Sequence, residues 1–157
     1  MRVEIRAIGR LKSSPEGLLV KDYIQKTNRL APQLGFSCIF EKEIDNRSLK
    51  SKTAETKALI AGLDSKDAVF ALDKSGEMLC SNAFTEQISR THLRGQGRLV
   101  FLIGGPNGHD HSLLASNIKL LSFGSAIWPH KLVRVMLVEQ IYRSYSFLAG
   151  MPYHREG

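Results

Sequence analysis

The sequence predicts an α/β fold in which helices flank a mostly parallel sheet. Short apolar runs of strand length alternate along the chain with longer segments of helical periodicity. Two of these runs, residues 68–72 and 98–103, are almost continuously apolar and break directly into segments rich in glycine, aspartate or proline. Such runs are typical of strands buried on both faces of a parallel sheet. The alternation of strand and helix therefore predicts an α/β sandwich.

The first part of the chain contains two predicted strands and two predicted helices. Residues 3–8 alternate between apolar and polar side chains and predict the first strand. Pro15 suits the first turn of a helix, and residues 15–34 predict the first helix. We expect a second strand at residues 36–44. An apolar stripe on residues 48–63 predicts the second helix.

The middle of the chain repeats this order. Residues 68–72 predict a buried strand that ends in a turn at residues 73–76. Ser81 is expected to cap the next helix, which closes near Gly95. Residues 98–103 predict another buried strand, which the glycine-rich residues 104–108 terminate.

The end of the chain combines an apolar helix with a reactive tail. Residues 132–148, which follow a Trp-Pro-His sequence, leave no wide polar face on a helix and so require apolar partners on more than one side. A second subunit is the natural partner. The tail then places a phenol, an imidazole, a guanidinium and a carboxylate at consecutive positions: Tyr153, His154, Arg155 and Glu156. A solvated tail is the simplest interpretation of these residues taken alone.

The composition indicates one folded domain over residues 1–157. No apolar run approaches the roughly 20 residues that a membrane span requires, so we expect no membrane partner. The N-terminus lacks the apolar core of a signal peptide, which favours a cytoplasmic protein. Cys38 and Cys80 lie in apolar stretches and are expected to be buried thiols. No spacing of cysteines or histidines predicts a metal site.

The charge of the chain favours polyanionic partners. Its 22 lysines and arginines exceed its 15 acidic residues, for a net charge of +7. Cations on a protein release counterions when they neutralise phosphates, so a basic balance favours nucleic acid. The positive residues are spread along the chain, and plenty of basic proteins bind no nucleic acid.

Three segments are candidates for one ligand site. In a parallel sheet, ligands bind beyond the carboxyl ends of the strands, and the segments after Leu72 and Ile103 lie at such ends. Residues 123–128 are apolar, contain small residues, and offer backbone groups with an apolar wall that suits an adenine ring. Each segment alone is equally compatible with an ordinary turn or, for 123–128, with a last strand. Neither a GxGxxG nor a P-loop spacing is present, which disfavours a nicotinamide or ATP enzyme.

Four motifs point to a known family. They are LIGGPNG at residues 102–108, PHKLVRV at 129–135, EQIYR at 139–143 and PYHRE at 152–156. Together they resemble the ribosomal RNA large subunit methyltransferase H family of the SPOUT group. The resemblance extends over essentially the whole chain, including the Leu72-Asp73 turn.

The resemblance implies a fold, a reaction and partners. It implies a SPOUT-type α/β trefoil knot, an obligate homodimer, and methylation of N3 of a pseudouridine in 23S rRNA. The substrate is then the large subunit or the 70S ribosome. It also implies S-adenosylmethionine as the cofactor. The candidate cofactor residues are Leu72, Gly104, Gly105, Phe123, Gly124, Ser125, Ala126, Ile127 and Trp128.

The tail supplies the candidate catalytic residues. Removal of the N3 proton spreads negative charge over two carbonyl oxygens, which a guanidinium stabilises. Arg155 is the first candidate for this role, with His154 or Glu156 as proton acceptor and Tyr153 as a stacking or anchoring residue. Arg143 and Arg134 are open to two interpretations, an intersubunit salt bridge with Glu139 or a contact with phosphate or base.

Two other functions remain open from the sequence. A SPOUT methyltransferase acting on tRNA would share the cofactor loops, although an added RNA-binding segment is expected there. A non-catalytic basic RNA-binding protein would share the charge, but would not require three convergent loops or a reactive tail.

Overall fold

The computed structural model describes residues 1–95 and 97–153. The strands within these ranges are β1 (Arg2–Ile8), β2 (Phe40–Ile44), β3 (Ala68–Met78), β4 (Arg98–Ile103) and β5 (Lys119–Ser122). The helices are α1 (Pro15–Leu30), α2 (Lys52–Ile60), α3 (Ser81–Leu93) and α4 (His130–Leu148). The strands pair in parallel in the order β2-β1-β4-β3-β5, which confirms the predicted α/β class.

The two faces of the sheet carry different layers. On one face, side chains of β1, β3 and β4 join a core with α1, α3 and α4, in which Phe101 packs near Phe84 and Leu137. On the opposite face, Leu59 of α2 packs with Leu102 and its neighbours in a smaller cluster. Successive strand residues point to opposite faces, so each central strand contributes to both layers.

Glu4 and Arg6 of β1 are buried, whereas Arg2 at the start of the strand is exposed. Arg6 Nε donates to Glu4 Oε1 at 2.8 Å, and Arg6 Nη1 donates to the carbonyl oxygens of Leu59 and Ala61 at 2.8 and 2.7 Å. A buried charge requires such partners, because an unpaired one is strongly destabilising. The pair thus fixes the end of α2 against the centre of the sheet.

Several predicted boundaries were too wide. The first helix ends at Leu30 and is followed by a separate 3₁₀ turn, Pro32–Leu34. The second strand begins only at Phe40. The second helix begins at Lys52, where the Ser51 hydroxyl accepts from the Ala54 N–H as an N-cap. The cap thus limits the second helix to a shorter segment than its apolar stripe suggested.

Two local predictions were wrong. Ser81 is the first residue of α3 and not its cap: Cys80 occupies the N-cap position without a side-chain hydrogen bond, and the Ser81 hydroxyl donates to Gln140 Oε1 at 2.8 Å. Cys38 and Cys80 are exposed. Both cysteines lie in connections between elements, where apolar neighbours such as Ile39 turn inward and the thiols do not.

The predicted turn at residues 73–76 is an irregularity within a longer strand. β3 pairs with β5 at Leu72 and again at Glu77, both opposite Leu121, so the residues between them are displaced from the ladder. A Cβ on Gly76 would lie 2.5 Å from the Leu121 backbone nitrogen, which only glycine avoids. Residues 73–75, which the irregularity displaces from the ladder, all line one cavity.

The terminal helix finds much of its apolar cover within its own chain. Leu137, Val138, Ile141 and Tyr145 are buried in the core beside α1 and α3. Leu132 is 39% exposed and Phe147 50% exposed, so part of its surface remains uncovered. No helix of the described residues is long and apolar enough to span a bilayer.

Candidate active site

A cavity of about 520 Å³ opens at the carboxyl ends of β3, β4 and β5. The three predicted segments meet there. Its lining includes eight of the nine candidate cofactor residues: Leu72, Gly104, Gly105, Phe123, Gly124, Ala126, Ile127 and Trp128. Ser125 lies in the same loop and is exposed, but it does not line the cavity.

The floor of the cavity is the glycine-rich loop 104–108 after β4. The Gly108 N–H donates to the Gly105 carbonyl oxygen at 3.0 Å and closes a tight turn. A Cβ on Gly104 would lie 3.0 Å from the Gly108 backbone, and a Cβ on Gly105 would lie 2.7 Å from Glu55 Oε2. Only Gly108, at φ 69°, adopts a left-handed backbone in this loop. A side chain at Gly104 would therefore press on the backbone of the loop itself, whereas one at Gly105 would displace the end of the Glu55 side chain of α2.

Hydrogen bonds from helix α2 hold the segment that follows this loop. Thr53 donates to Asp110 Oδ2 at 2.6 Å, and the Asp110 N–H donates to the Thr56 hydroxyl at 2.9 Å. Hydrogen bonds from Thr53 and Ser112 lower the pKa of Asp110. The Glu55 carboxylate is buried against Gly105, and its Oε2 has no hydrogen-bond partner among the described residues. The loop is thus held by contacts that exist without a ligand.

The wall of the cavity is the loop 123–128 after β5. Its start is fixed by Ser122, whose hydroxyl donates to the Gly124 carbonyl oxygen at 2.9 Å and accepts from the Gly124 N–H at 3.2 Å. Beyond this turn the loop is open to solvent, with Ile127 87% exposed and Trp128 43% exposed. Large apolar side chains at a cavity mouth favour a ligand or partner that covers them.

Polar side chains line one side of the cavity: Asp73 and Ser75 belong to the predicted segment after Leu72, whereas His111 lies outside the predicted segments. His111 Nε2 and Asp73 Oδ2 lie 2.8 Å apart, and Asp73 also accepts from the Ser75 N–H and hydroxyl. Burial alone would raise the pKa of Asp73, but the hydrogen bonds from Ser75 and His111 outweigh it and lower the pKa to about 2. The pair joins β3 to the segment that follows the floor loop.

Two further histidines border the cavity. His109 is buried, and neither ring nitrogen makes a well-formed hydrogen bond to the described residues. Burial lowers the pKa of His109, against the opposing effects of Asp73 and the carbonyl oxygens of Leu72 and Leu102. Burial also lowers the pKa of His130, with smaller effects from nearby cations. In the sequence, His109 is distinguished only by its position directly after the glycine-rich loop.

Arg134 has a structural role within one chain. It is buried, and Nη1 donates to Glu41 Oε1 at 3.2 Å and Glu43 Oε1 at 3.1 Å. Nη2 donates to the carbonyl oxygens of Ile8 and Gly9 at 2.6 and 2.5 Å. Both interpretations that the sequence left open for this residue, a salt bridge with Glu139 and a contact with RNA, are wrong.

Arg143 and Tyr153 lie together but outside the cavity. Arg143 pairs with Glu139 one turn earlier, with an Nη2 to Oε1 distance of 2.6 Å, so its predicted ion pair forms within one chain. The Tyr153 ring lies under the Arg143 guanidinium at 5.0 Å, and its hydroxyl donates to Glu139 Oε1 at 3.2 Å. Burial raises the pKa of Tyr153, as do the hydrogen bonds to Tyr23 and Glu139. The other tail candidates, His154, Arg155 and Glu156, lie outside the described residues.

A second cavity of about 660 Å³ adjoins the first. The two share Phe123 and Gly124, and the second is also lined by Tyr23, Glu139 and Gln140. The Glu139 carboxylate that holds Arg143 and Tyr153 thus faces a space separated from the first cavity by a shared wall. No group of metal-ligating side chains is present among residues 1–95 and 97–153.

Comparison with known proteins places the chain in a family. A sequence profile described as "Predicted SPOUT methyltransferase" matches residues 1–154. The chain is 47% identical over 156 residues to the ribosomal RNA large subunit methyltransferase H of Maricaulis maris, covering 99% of this chain and 100% of that protein. Proteins of the same name from Phenylobacterium zucineum and Hyphomonas neptunium are 46% and 41% identical, with at least 99% of each chain covered. Both the profile and these alignments extend over almost all of the sequence, and the chain belongs to the SPOUT methyltransferase family.

Proposed function

We propose that this chain, acting as one domain over residues 1–157, is an S-adenosylmethionine-dependent methyltransferase that methylates N3 of a pseudouridine in 23S rRNA. The observation that carries the proposal is the cavity at the carboxyl ends of β3, β4 and β5, in a chain of a methyltransferase family. The relatives named above are large-subunit ribosomal RNA methyltransferases by name, which supports rRNA as the substrate. The site of action is then the cytoplasm, with the ribosomes.

The cavity suits the cofactor in size and chemistry. Its volume of about 520 Å³ lies within the roughly 300–1,000 Å³ of small-molecule sites. Backbone groups of loop 104–108 and the apolar loop 123–128 offer the mixture of polar and apolar contacts that an adenosine and an amino acid require. Leu72, Gly104, Gly105 and the residues of loop 123–128 that line the cavity hold the cofactor, which supplies a methyl group on a positively charged sulfur.

The residues of the tail act on the acceptor base. N3 of pseudouridine carries a proton between two carbonyl groups, so it becomes nucleophilic only as that proton leaves. Arg155 stabilises the negative charge that develops on the oxygens, and His154 or Glu156 accepts the proton. Tyr153 stacks on the base or anchors the tail. Alignment of donor and acceptor provides the rest of the acceleration.

We infer that the active unit is a homodimer in which the tail of one subunit completes the cavity of the other. Two observations support this arrangement. Within one chain, Arg143 and Tyr153 do not line the cavity. Exposed apolar side chains surround its mouth and continue onto α4, at Ile127, Trp128 and Leu132. A partner subunit would cover these side chains.

Methyl transfer to purified particles tests the function. The wild-type protein is incubated with labelled S-adenosylmethionine and with 70S ribosomes, large subunits, 23S rRNA or tRNA from a strain that lacks the gene. We expect label in a ribosomal particle, and mass mapping should place it on a pseudouridine of 23S rRNA. Label in tRNA alone would support the tRNA enzyme. Absence of both transfer and cofactor binding would support the non-catalytic RNA-binding protein.

A further inference from the structure

We infer that the carboxyl edge of the sheet carries a docking surface for RNA phosphates beside the cofactor cavity. The inference rests on the proposed function, because it takes RNA as the partner. The surface, here termed the basic rim, consists of exposed cations that follow β1 and β2 and one cation displaced from β3. They are Arg10, Lys12, Arg47, Lys50, Lys52 and Lys74.

The sheet topology brings these cations to one edge. All strand pairings are parallel, so the loops after the strands emerge on the same side of the sheet. β1 and β2 are neighbours, and Arg10 and Arg47 share the carboxylate of Asp45. Lys52 and Lys74 line the cofactor cavity. The rim therefore extends from the β2 corner of the sheet to the mouth of the cavity.

The rim cations are exposed, whereas Asp45 and Asp73 at the same edge are less exposed, and Glu43, although exposed, is paired with Arg134. The side chains of Asp45 and Asp73 are 28% and 11% exposed, and both accept hydrogen bonds from neighbouring residues. Glu41 and Glu43 hold the buried Arg134. All six cations of the rim are exposed. A polyanion that approaches this edge thus meets positive charge first.

Several rim cations have no carboxylate partner. Lys12, Lys50 and Lys74 form no ion pair with any residue in the described ranges. The outer helical faces carry both kinds of cation: Lys26 pairs with Asp22 and Arg90 with Glu86, whereas Lys21 and Lys57 form no ion pair within the described residues. An unpaired exposed lysine keeps its full charge and donors for phosphate, and its bound counterions are released on contact.

RNA fits this surface better than an acidic protein does. The acceptor nucleotide must reach the cavity mouth, so the phosphates that flank it run along the adjoining surface. Lysines at irregular spacing on loops contact a backbone without reading bases. The rim thus supplies affinity, while the choice of nucleotide is made at the cavity.

The test compares two double variants that remove the same charge. Lys12→Gln/Lys50→Gln neutralises two rim lysines that do not line the cofactor cavity. Lys66→Gln/Arg94→Gln neutralises two exposed cations at the opposite edge, before β3 and β4. Affinity for unmethylated large ribosomal subunits is measured between 50 and 200 mM salt, with S-adenosylmethionine binding followed by calorimetry as a check on folding.

For the rim variant, the slope of log affinity against log salt concentration should be shallower by about two, and binding at low salt should be roughly tenfold weaker. The control variant should match wild type in both quantities. If Lys12→Gln/Lys50→Gln fails to fold, Arg47→Gln/Lys50→Gln replaces it. Equal losses in both variants would reduce the effect to net charge and overturn the inference. Unchanged binding in both would place docking elsewhere.

Protein-free 23S rRNA separates the two classes of partner. If the rim variant also binds protein-free 23S rRNA more weakly than wild type does, the surface contacts phosphates. If the difference between the two proteins disappears on protein-free RNA, the surface contacts an acidic ribosomal protein and the inference is overturned. The proposed function can fail separately. If the salt dependence of binding differs between wild type and the rim variant as expected, but the wild type transfers no methyl group, the enzymatic function is refuted and the docking surface remains supported.

Discussion

The floor and the wall of the cavity are built in different ways. The floor, residues 104–108, is held by its own backbone turn and by α2, and its first two glycines are buried. The wall, residues 123–128, is held at its start by Ser122 and by Phe123, which packs against the core, and it exposes Ile127 and Trp128. A site with one preformed side and one uncovered side gains its final shape from what binds there. Substitutions on the floor should therefore affect folding and binding together, and those on the wall should affect binding alone.

The largest effect is expected from Gly104→Val on the floor. The new side chain meets the Gly108 backbone, which cannot rotate away, so the loop must shift. Overpacking of this kind costs about 1–3 kcal/mol, and we expect the affinity for S-adenosylmethionine to fall at least tenfold in calorimetry. Gly97→Val is the matched control, because a Cβ there approaches nothing closer than Asp67 at 3.9 Å. Normal cofactor affinity in a folded Gly104→Val protein would remove the floor from the site.

A mixing experiment tests whether the wall is covered by a partner. Gly104→Val disables the cavity of its own subunit, and Arg155→Ala disables the tail. If tails act in trans, a heterodimer contains one site with both lesions and one with neither, so random exchange restores roughly a quarter of the sites. If each tail serves its own chain, mixing restores no activity. Native mass spectrometry must show the heterodimer for either result to count.

Trp128→Ala should separate binding from stability on the wall. The indole is partly exposed, so its loss should change the free energy of unfolding by less than about 0.5 kcal/mol. Cofactor affinity should fall about three- to tenfold, because an aromatic contact contributes about 0.5–1.5 kcal/mol. Leu93→Ala, at an exposed residue of α3, is the control and should change neither quantity. A large stability loss for Trp128→Ala would show that the wall is as preformed as the floor.

The smallest effect is expected in the pH dependence of stability that arises from Asp73, beside the floor of the cavity. The folded state lowers the pKa of Asp73 from 3.8 to about 2, so its carboxylate stabilises the fold above pH 4, and this contribution disappears as the pH falls toward 2. For this mostly buried group the contribution is about 1–2 kcal/mol. Urea unfolding of wild type and Asp73→Asn from pH 6 to pH 2 should give a stability difference that shrinks over that interval. A constant difference would exclude titration of Asp73 as the cause.

The parts of the site that were predicted from the sequence are encoded by short stretches of consecutive residues. The strand at Arg98–Ile103 and the glycine loop after it are encoded in consecutive residues. The rule that ligands bind beyond the carboxyl ends of parallel strands then brought together the segments after Leu72 and Ile103. The candidate cofactor residues themselves came from the resemblance to the family, and eight of the nine line the cavity.

The missed parts depend on long-range pairing. The strand Lys119–Ser122 was not predicted, because four residues have little pattern of their own and its pairing with β3 defines it. The contact between Asp73 and His111 arises from the irregularity in β3, which no local motif signals. Neither of the two interpretations left open for Arg134 included its partners on β1 and β2, because these lie more than ninety residues earlier.

The cluster around Arg134 also constrains how the chain folds while it is being synthesised. Its guanidinium joins the last helix to the end of the first strand and to the edge strand β2. In addition, β4 separates β1 from β3 in the sheet, so the central strand is synthesised after both of its neighbours. A nascent chain therefore exposes the inner edges of β1 and β3 until β4 has emerged, and it carries Glu41 and Glu43 without their cation until α4 follows. Because the contacts of Arg134 join residues more than a hundred positions apart, we expect folding to complete slowly and only after α4 has been synthesised.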